Sequence, residues 1–136
     1  VAAAAWVKGV NTLDSMLGYP DRPVGTASAR LDDAIMWVPA RVSAVLLAVA
    51  AGSPGSLFDA RRWARVPASP NSGWPMATAA AALGVRLSKP GAYTLNPGAA
   101  LPSLAESRAG VRAVALAGAL AFLFAGIAVA GVTTWP

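Results

Sequence analysis

The sequence predicts an all-α fold: a helical integral membrane protein fragment with a C-terminal transmembrane helix and polar active-site loops. Hydrophobic residues make up 56% of the 136 residues and charged residues only 12%, about half the charged fraction of typical soluble domains. Residues 113–132 are uninterruptedly apolar, which is long enough to cross a hydrocarbon core of roughly 30 Å. Charge is concentrated instead in residues 11–41, which hold four of the six acidic residues.

The N-terminal region predicts two short helices followed by a loop. Residues 1–10 are mostly apolar and read as the end of a helix, and Asn11 or Thr12 is expected to cap a second one. Gly18 fits a C-terminal stop, and the prolines and glycine of 19–25 indicate a loop. Because the chain opens on an apolar run without Met, we expect it to be part of a longer protein.

The next predicted helix carries an arginine in an apolar environment. Ser28 is expected to cap it, and residues 34–52 are apolar except for Arg41 and Ser43. Pro39 interrupts helical hydrogen bonding and a charged arginine is costly in hydrocarbon. A full span would also place the polar residues before and after it on opposite sides of a membrane. We therefore predict a buried or re-entrant helix over 34–52, with Arg41 facing the functional site.

The remaining segments are a polar connector, a packing helix, a loop and the span. Residues 53–73 carry a basic cluster around Trp63, which we expect to anchor at a membrane interface. The Ala-rich stretch from Trp74 to Gly84 predicts a helix suited to close packing, with Asn71 or Ser72 as its N-terminal cap and Gly84 at its end. Residues 86–108 contain three prolines and predict a loop. The transmembrane helix 113–132 is then flanked by arginines before it and by a tryptophan after it, as in membrane proteins.

The net charge and the residue types present restrict the functions that this chain can have. The net charge of +5 suits a positive-inside bias, which places the loop 53–112 in the cytoplasm, or phosphate binding by arginine. Nucleic-acid binding is disfavoured because the basic residues are scattered and a single aromatic residue lies within a basic cluster. The absence of Cys and His excludes thiolate and imidazole chemistry, so carboxylates, Arg, Lys, hydroxyls and amides remain.

Several ordered motifs give the chain a family resemblance. NTLDSMLGY, ASARLDD, W-x-PAR, SPNSGWPMA and ALGVRL follow one another over residues 6–93. In this order they resemble the CobD/CbiB family, the membrane-bound adenosylcobinamide-phosphate synthases of cobalamin (vitamin B12) biosynthesis. On that resemblance, residues 1–136 are the C-terminal portion of such a membrane domain.

The resemblance implies a reaction and its partners. A corrinoid, adenosylcobyric acid, is joined through an amide to aminopropanol or its O-phosphate, with ATP consumed and Mg²⁺ required. It also implies an integral protein of the cell membrane, in contact with lipid, with its polar site on the cytoplasmic side. An oligomer is compatible with it, and nucleic acid is not a partner.

The residues that fit this chemistry fall into two polar segments, 11–41 and 69–74, which we interpret as one site. Asp32 and Asp33 are candidate Mg²⁺ ligands, but adjacent helical residues point about 100° apart, so one is expected to bind metal and the other to orient an arginine. Asp14 is the candidate proton acceptor and Arg41 the candidate phosphate clamp. The candidate catalytic residues are Asp14, Asp32, Asp33 and Arg41, and the candidate substrate-binding residues are Asn11, Thr12, Arg30, Ser69 and Asn71.

Each assignment has a structural alternative. The aspartates can equally form a salt-bridge cluster with Arg30 and Arg41, and the hydroxyls of Thr12 and Ser69 can serve as helix caps. There is no P-loop motif. A non-enzymatic membrane sensor or scaffold distantly related to the same family is the alternative function. A transporter subunit is a weaker one, because 113–132 has no polar residue to line a path.

Overall fold

The computed structural model describes residues 2–17 and 23–133, and this part of the chain is mostly helical with little strand. The described elements are α1 (Ala2–Leu17), α2 (Pro23–Ala50), α3 (Ser56–Ala60), α4 (Gly73–Leu83), β1 (Leu87–Lys89), β2 (Tyr93–Leu95) and α5 (Leu104–Thr133). The predicted all-α fold class is therefore confirmed. The chain divides into two compact units, Val1–Pro39 and Ala40–Pro136, called below the N-terminal and C-terminal units.

In the N-terminal unit, α1 is one continuous helix and not two. The hydroxyl of Thr12 donates to the carbonyl of Lys8 at 2.8 Å, and that of Ser15 donates to the carbonyl of Asn11 at 2.8 Å. Each hydroxyl thus bonds the carbonyl one turn earlier, as in a helix interior. The predicted cap at Asn11 or Thr12 is wrong, and the predicted stop at Gly18 lies outside the described residues.

Helix α2 begins earlier than predicted. It runs for 28 residues and contains Pro39, at the boundary of the two units. Ser28 does not cap it, because its hydroxyl donates to the carbonyl of Gly25 at 2.9 Å inside the helix. Its stretch Gly25–Ala50, which contains an 18-residue window of mean hydropathy 1.6, is long and apolar enough to cross a membrane. The re-entrant course of 34–52 stays a prediction.

The core of the C-terminal unit is built from alanines that allow α3 and α4 to approach closely. Ala60, Ala64 and Ala77 are fully buried, and Trp63 and Trp74 pack against them. Small side chains let two backbones come together, and the indole rings then fill the edges of the contact. Trp63 therefore contributes to the core of the unit, and the anchoring of the basic cluster at a membrane interface stays a prediction.

Helix α4 ends where predicted and begins without the predicted cap. Gly84 has φ 65°, and its N–H donates to the carbonyls of Ala80 and Ala81, a left-handed C-terminal cap that favours glycine. At the other end Ser72 occupies the N-cap position, but no side-chain capping hydrogen bond is formed. The side chain of Asn71, the other predicted cap, points to a different partner.

A β-hairpin occupies part of the segment predicted as a loop. Strands β1 and β2 are antiparallel, with Leu87 opposite Leu95. The turn is closed by the N–H of Ala92 donating to the carbonyl of Lys89 at 3.0 Å, and Gly91 takes φ 72°. Leu95 is fully buried and β2 contacts α4, so the hairpin covers one side of the α4 helix.

Asn96 ties this hairpin to the end of α4. It has φ 50°, and its side-chain amide donates to the carbonyls of Ala80 and Val85 at 3.4 and 3.3 Å. We expect Asn96→Ala to lower the free energy of unfolding by about 2 kcal/mol, because it combines backbone strain with lost hydrogen bonds. Asn96→Gly relieves the strain and should cost about half as much. Chemical denaturation of the purified protein measures both, and equal stability of the two variants would contradict this reasoning.

Helix α5 contains the predicted span and begins nine residues before it, at Leu104. Ser103 and Glu106 form a capping box: the Ser103 N–H donates to the Glu106 carboxylate at 2.7 Å, and the Glu106 N–H donates to the Ser103 hydroxyl at 3.4 Å. This pairing satisfies two donors at the helix start. Helix α5 contains an 18-residue window of mean hydropathy 2.4, and together with Gly25–Ala50 it suggests membrane association.

Candidate functional site

In the C-terminal unit, Arg41 is held by two side chains at the start of α4. Its Nη1 donates to the Oδ1 of Asn71 at 2.5 Å, and its guanidinium carbon lies 5.3 Å from the centroid of the Trp74 ring. Asn71 is only 5% exposed. A hydrogen bond to a charged group and a cation–π contact orient the guanidinium plane. Arg41 thus contacts two residues of the predicted polar segment 69–74, and its place in a functional site stays a prediction.

The local sequence explains why Asn71 is available to Arg41. The backbone N–H of Asn71 donates to the hydroxyl of Ser69 at 3.3 Å, and the N–H of Trp74 donates to the carbonyl of Asn71 at 3.2 Å. A Cβ on Gly73 would lie 2.0 Å from the carbonyl oxygen of Ala64, so only glycine permits this close approach. The tight turn into α4 thus fixes the position of the Asn71 amide.

Trp74 is a member of this cluster that sequence reasoning missed as a functional residue. The sequence predicts for Trp74 only a place at the start of a packing helix, and there it does pack against the alanine core. Its second role, beneath the Arg41 guanidinium, depends on a residue 33 positions earlier in the chain. A signal was present, since an aromatic residue directly after the polar SPNSG segment suits a cation–π partner.

In the N-terminal unit, the predicted carboxylates influence one another across α1 and α2. The Asn11 side-chain amide donates to the Oδ1 of Asp32 at 3.4 Å. Burial raises the pKa of Asp14, and the negative charges of Asp32 and Asp33 raise that pKa further. The Oδ1 of Asp14 is shielded from solvent and has no hydrogen-bond partner among the described residues. The structure therefore assembles a region of concentrated negative charge.

Two other predicted binding residues lie in the same unit. Arg30 is exposed on α2, and Thr12 is exposed on α1 with its hydroxyl donated to the helix backbone. That hydroxyl oxygen keeps its capacity to accept a hydrogen bond. Their assignment to substrate binding stays a prediction.

The oxygen donors of this region suit a divalent cation only in part. Within the described residues, no group of three acidic side chains is arranged to hold a metal ion. Mg²⁺ is commonly held by one or two carboxylates, with waters and substrate phosphates completing its shell. The unpartnered Asp14 oxygen and the Asp32 carboxylate are of that kind. Mg²⁺ binding by Asp32 or Asp33 stays a prediction.

Removing the Asp14 charge should stabilise the protein at neutral pH. A raised pKa means that ionised Asp14 destabilises the folded state; the effect is absent below the ordinary value of 3.8 and complete above the raised pKa. Asp14→Asn should therefore unfold at a higher temperature than the wild type at pH 7, with the difference vanishing on acidification below 3.8. Thermal unfolding in a metal chelator measures this, with the exposed Asp59→Asn as control. A pH-independent difference would refute it.

The two halves of the predicted site belong to different units. Asn11, Asp14, Asp32 and Asp33 lie in the N-terminal unit, whereas Arg41, Ser69 and Asn71 lie in the C-terminal unit. Each half is assembled within its own unit. The joining of the two halves into one site stays a prediction.

Comparison with known proteins decides the family. A family model described as CobD/Cbib protein matches residues 1–123. The chain belongs to the CobD/CbiB family. This confirms the resemblance drawn from the ordered motifs, and the match extends beyond residues 6–93 into the apolar part of α5.

Curated relatives agree with this assignment. The chain is 50% identical over 102 residues to the probable cobalamin biosynthesis protein CobD of Methanothrix thermoacetophila, covering 70% of this chain and 32% of the relative. It is 47% identical over 95 residues to that of Methanothermobacter thermautotrophicus, covering 64% and 32%. It is 46% identical over 94 residues to the cobalamin biosynthesis protein CobD of Klebsiella pneumoniae, covering 63% and 30%.

The chain thus spans about a third of the length of the curated CobD relatives it matches. No solved structure matches it.

Proposed function

We propose that this CobD/CbiB chain is part of an enzyme of cobalamin biosynthesis that joins adenosylcobyric acid to aminopropanol, or to its O-phosphate, in an ATP-dependent amide ligation. The observation that carries the proposal is the family match over residues 1–123, together with relatives named for cobalamin biosynthesis. The oriented Arg41 guanidinium supports it on physical grounds.

The reaction requires a carboxylate to become electrophilic. A propionate oxygen of the corrinoid takes a phosphoryl or nucleotidyl group from ATP. The amine nitrogen then forms the C–N bond, and that oxygen leaves with the group it received. Negative charge accumulates on phosphate oxygens at both stages, and an oriented guanidinium stabilises it most effectively where water is excluded. Arg41, fixed by Asn71 and Trp74, is the residue we assign to that role.

The nitrogen of the attacking amine has to lose a proton. A carboxylate with a raised pKa is a better acceptor near neutral pH than an ordinary one. The pKa of Asp14 is raised in this way by burial and by the charges of Asp32 and Asp33. We assign proton acceptance to Asp14, and hydrogen bonds to phosphates or to corrin amides to Asn11, Thr12, Arg30 and Ser69.

Magnesium fits the carboxylate region in a supporting role. When bound, Mg²⁺ neutralises the phosphate charge of ATP. Asp32 or Asp33 would supply one or two oxygen ligands, and the hydrogen bond from Asn11 would orient the Asp32 carboxylate. We place the site at the cytoplasmic side of the cell membrane, where the positive loop 53–112 would lie if 34–52 is re-entrant and α5 crosses the membrane.

Membranes carrying the full-length protein provide the test. Incubation with adenosylcobyric acid, ATP, Mg²⁺ and either aminopropanol or its O-phosphate should give a product whose mass corresponds to condensation with loss of water. Omission of ATP should abolish it, and the preferred amine identifies the substrate. Membranes that bind the corrinoid without turning it over in any combination would favour the sensor or scaffold function and refute the ligase.

A further inference from the structure

The first turns of α5 carry an exposed surface whose residues recur at helical spacing. These residues, called here the arginine face, line one shallow concavity: Leu104, Ser107, Arg108, Val111 and Arg112. Leu104 is 67% exposed and Val111 71% exposed, and both arginines are exposed as well. The face therefore combines two cations and two large apolar side chains in contact with the surroundings.

This face is directed away from the part of α5 that packs on the protein. The packed side consists of Gly110, Ala113 and Ala117, with Gly110 close to the Leu83 side chain of α4. At about 100° per residue, the centre of the arginine face lies roughly opposite the two alanines. The exposure of the arginine face is thus a consequence of how α5 docks within the C-terminal unit.

The charge of the arginine face is not balanced by nearby carboxylates. Within the described chain, neither Arg108 nor Arg112 forms an ion pair. The nearby Glu106 carboxylate accepts the Ser103 N–H at the helix start. The Nε of Arg112 donates to the backbone carbonyl of Arg108 at 3.4 Å, so the Arg112 side chain turns back toward the helical turn that carries Arg108.

The position of the arginine face along α5 indicates the depth at which it lies in a membrane. Arg112 directly precedes the charge-free stretch 113–132, within a helix long and apolar enough to cross a membrane. When that stretch occupies the hydrocarbon core, the arginines lie at the depth of the lipid headgroups. A phosphodiester there offers paired oxygens to a guanidinium fork. The hydrocarbon begins next to Val111, and an acyl chain can follow the same side of α5 from Val111 to Phe122, which is 84% exposed.

We propose that the arginine face is a binding site for an anionic phospholipid, whose headgroup phosphate is held between Arg108 and Arg112 and whose acyl chain runs from Val111 along the same side of α5 toward the exposed Phe122. A soluble phosphate compound would satisfy the cations and leave the apolar side chains uncovered. This proposal does not depend on the ligase activity.

The test uses the full-length protein, purified and depleted of lipid, then mixed with equal amounts of phosphatidylglycerol and phosphatidylcholine. Native mass spectrometry counts the lipids retained. The wild type should retain phosphatidylglycerol preferentially, and this preference should fall roughly fivefold for each arginine removed in R108Q/R112Q. R108K/R112K should keep much of the preference, because the charges remain and only the fork geometry is lost.

The matched control is R61Q/R62Q, which removes the same charge from exposed positions where one arginine stacks on Phe58 and the other pairs with Asp59. It should leave the preference unchanged. An equal loss in both double variants would show a net-charge effect and overturn the site, as would full retention in R108Q/R112Q. Displacement of phosphatidylglycerol by millimolar inorganic phosphate would assign the arginines to a soluble anion and also refute the lipid site. Comparable elution of all variants in size-exclusion chromatography confirms that they are folded.

Discussion

Arg41→Ala in the full-length protein should reduce amide ligation by about 100-fold, the range seen when one oriented donor to a developing negative charge is removed. Arg41→Lys should lose about tenfold, because lysine keeps the charge but cannot reproduce the planar fork that Asn71 and Trp74 orient. Product formation in membranes, normalised to the amount of protein, measures both. Arg62→Ala is the control, since its side chain is 72% exposed and pairs with Asp59.

A double-mutant cycle of Arg41 and Asn71 distinguishes charge stabilisation by Arg41 during the reaction from a contribution of Arg41 to stability alone. Truncating Arg41 deprives the buried Asn71 amide of this partner, which costs about 1–3 kcal/mol of stability, so protein levels will also fall. If Asn71 acts by orienting Arg41, Asn71→Ala should lower the rate, and adding Arg41→Ala should bring little further loss beyond that of Arg41→Ala alone. The assigned role would be contradicted if the loss of rate in the double variant equalled the product of the two single losses. It would also be contradicted if the Arg41→Ala enzyme kept the wild-type rate per folded molecule.

Among the glycines whose surroundings the structure describes, Gly73→Ala should be the most destabilising alanine substitution. The added Cβ would meet the carbonyl oxygen of Ala64 at 2.0 Å and its carbonyl carbon at 2.7 Å. These are backbone atoms of the turn that follows α3, so this turn and the start of α4 have to separate, and the buried alanine contact between them is weakened. We expect a loss of at least about 3 kcal/mol, as for overpacked cores. Chemical denaturation and the amount of folded protein in membranes provide the measurement.

Gly98→Ala is the matched control for that substitution. A Cβ at Gly98 meets nothing within 4 Å, so the protein should keep wild-type stability to within about 0.5 kcal/mol. Because Gly73 lies between Asn71 and Trp74, Gly73→Ala should also displace both partners of Arg41 and reduce activity in the molecules that do fold. Stability of the Gly73 variant equal to that of the Gly98 variant would show that the α3–α4 contact tolerates separation.

Local chemistry was enough to predict several elements. Gly84 ends α4 in the left-handed conformation, as its position after an Ala-rich run indicated. The stretch 113–132 lies inside α5 because nothing in it interrupts a helix. An arginine within an apolar helix needed a polar partner, and Arg41 has one in Asn71. In each case the deciding interaction involves neighbouring residues or a single strong energetic requirement.

Other elements depend on which of two competing hydrogen bonds or contacts forms, and a local sequence pattern does not decide this. Asn11 and Thr12 suited an N-cap, yet the residues before them continue the helix, so the Thr12 hydroxyl bonds Lys8 instead. The three-residue strands of the hairpin are too short for an alternation of apolar residues to be recognised. They are held by the burial of Leu95 beside α4 and by the two bonds from Asn96.

The sequence by itself determined the helical class, the apolar length of α5, the family and the set of polar side chains available for chemistry, because composition, hydropathy and motif order are properties of the chain. Only the tertiary structure decided which of those side chains meet. The pairing of Arg41 with Asn71 over Trp74 requires Gly73 to pass against Ala64. The raised pKa of Asp14 requires α1 and α2 to bring three carboxylates into one another's field. Such contacts join distant positions, and their energies depend on burial and distance, which no local pattern contains.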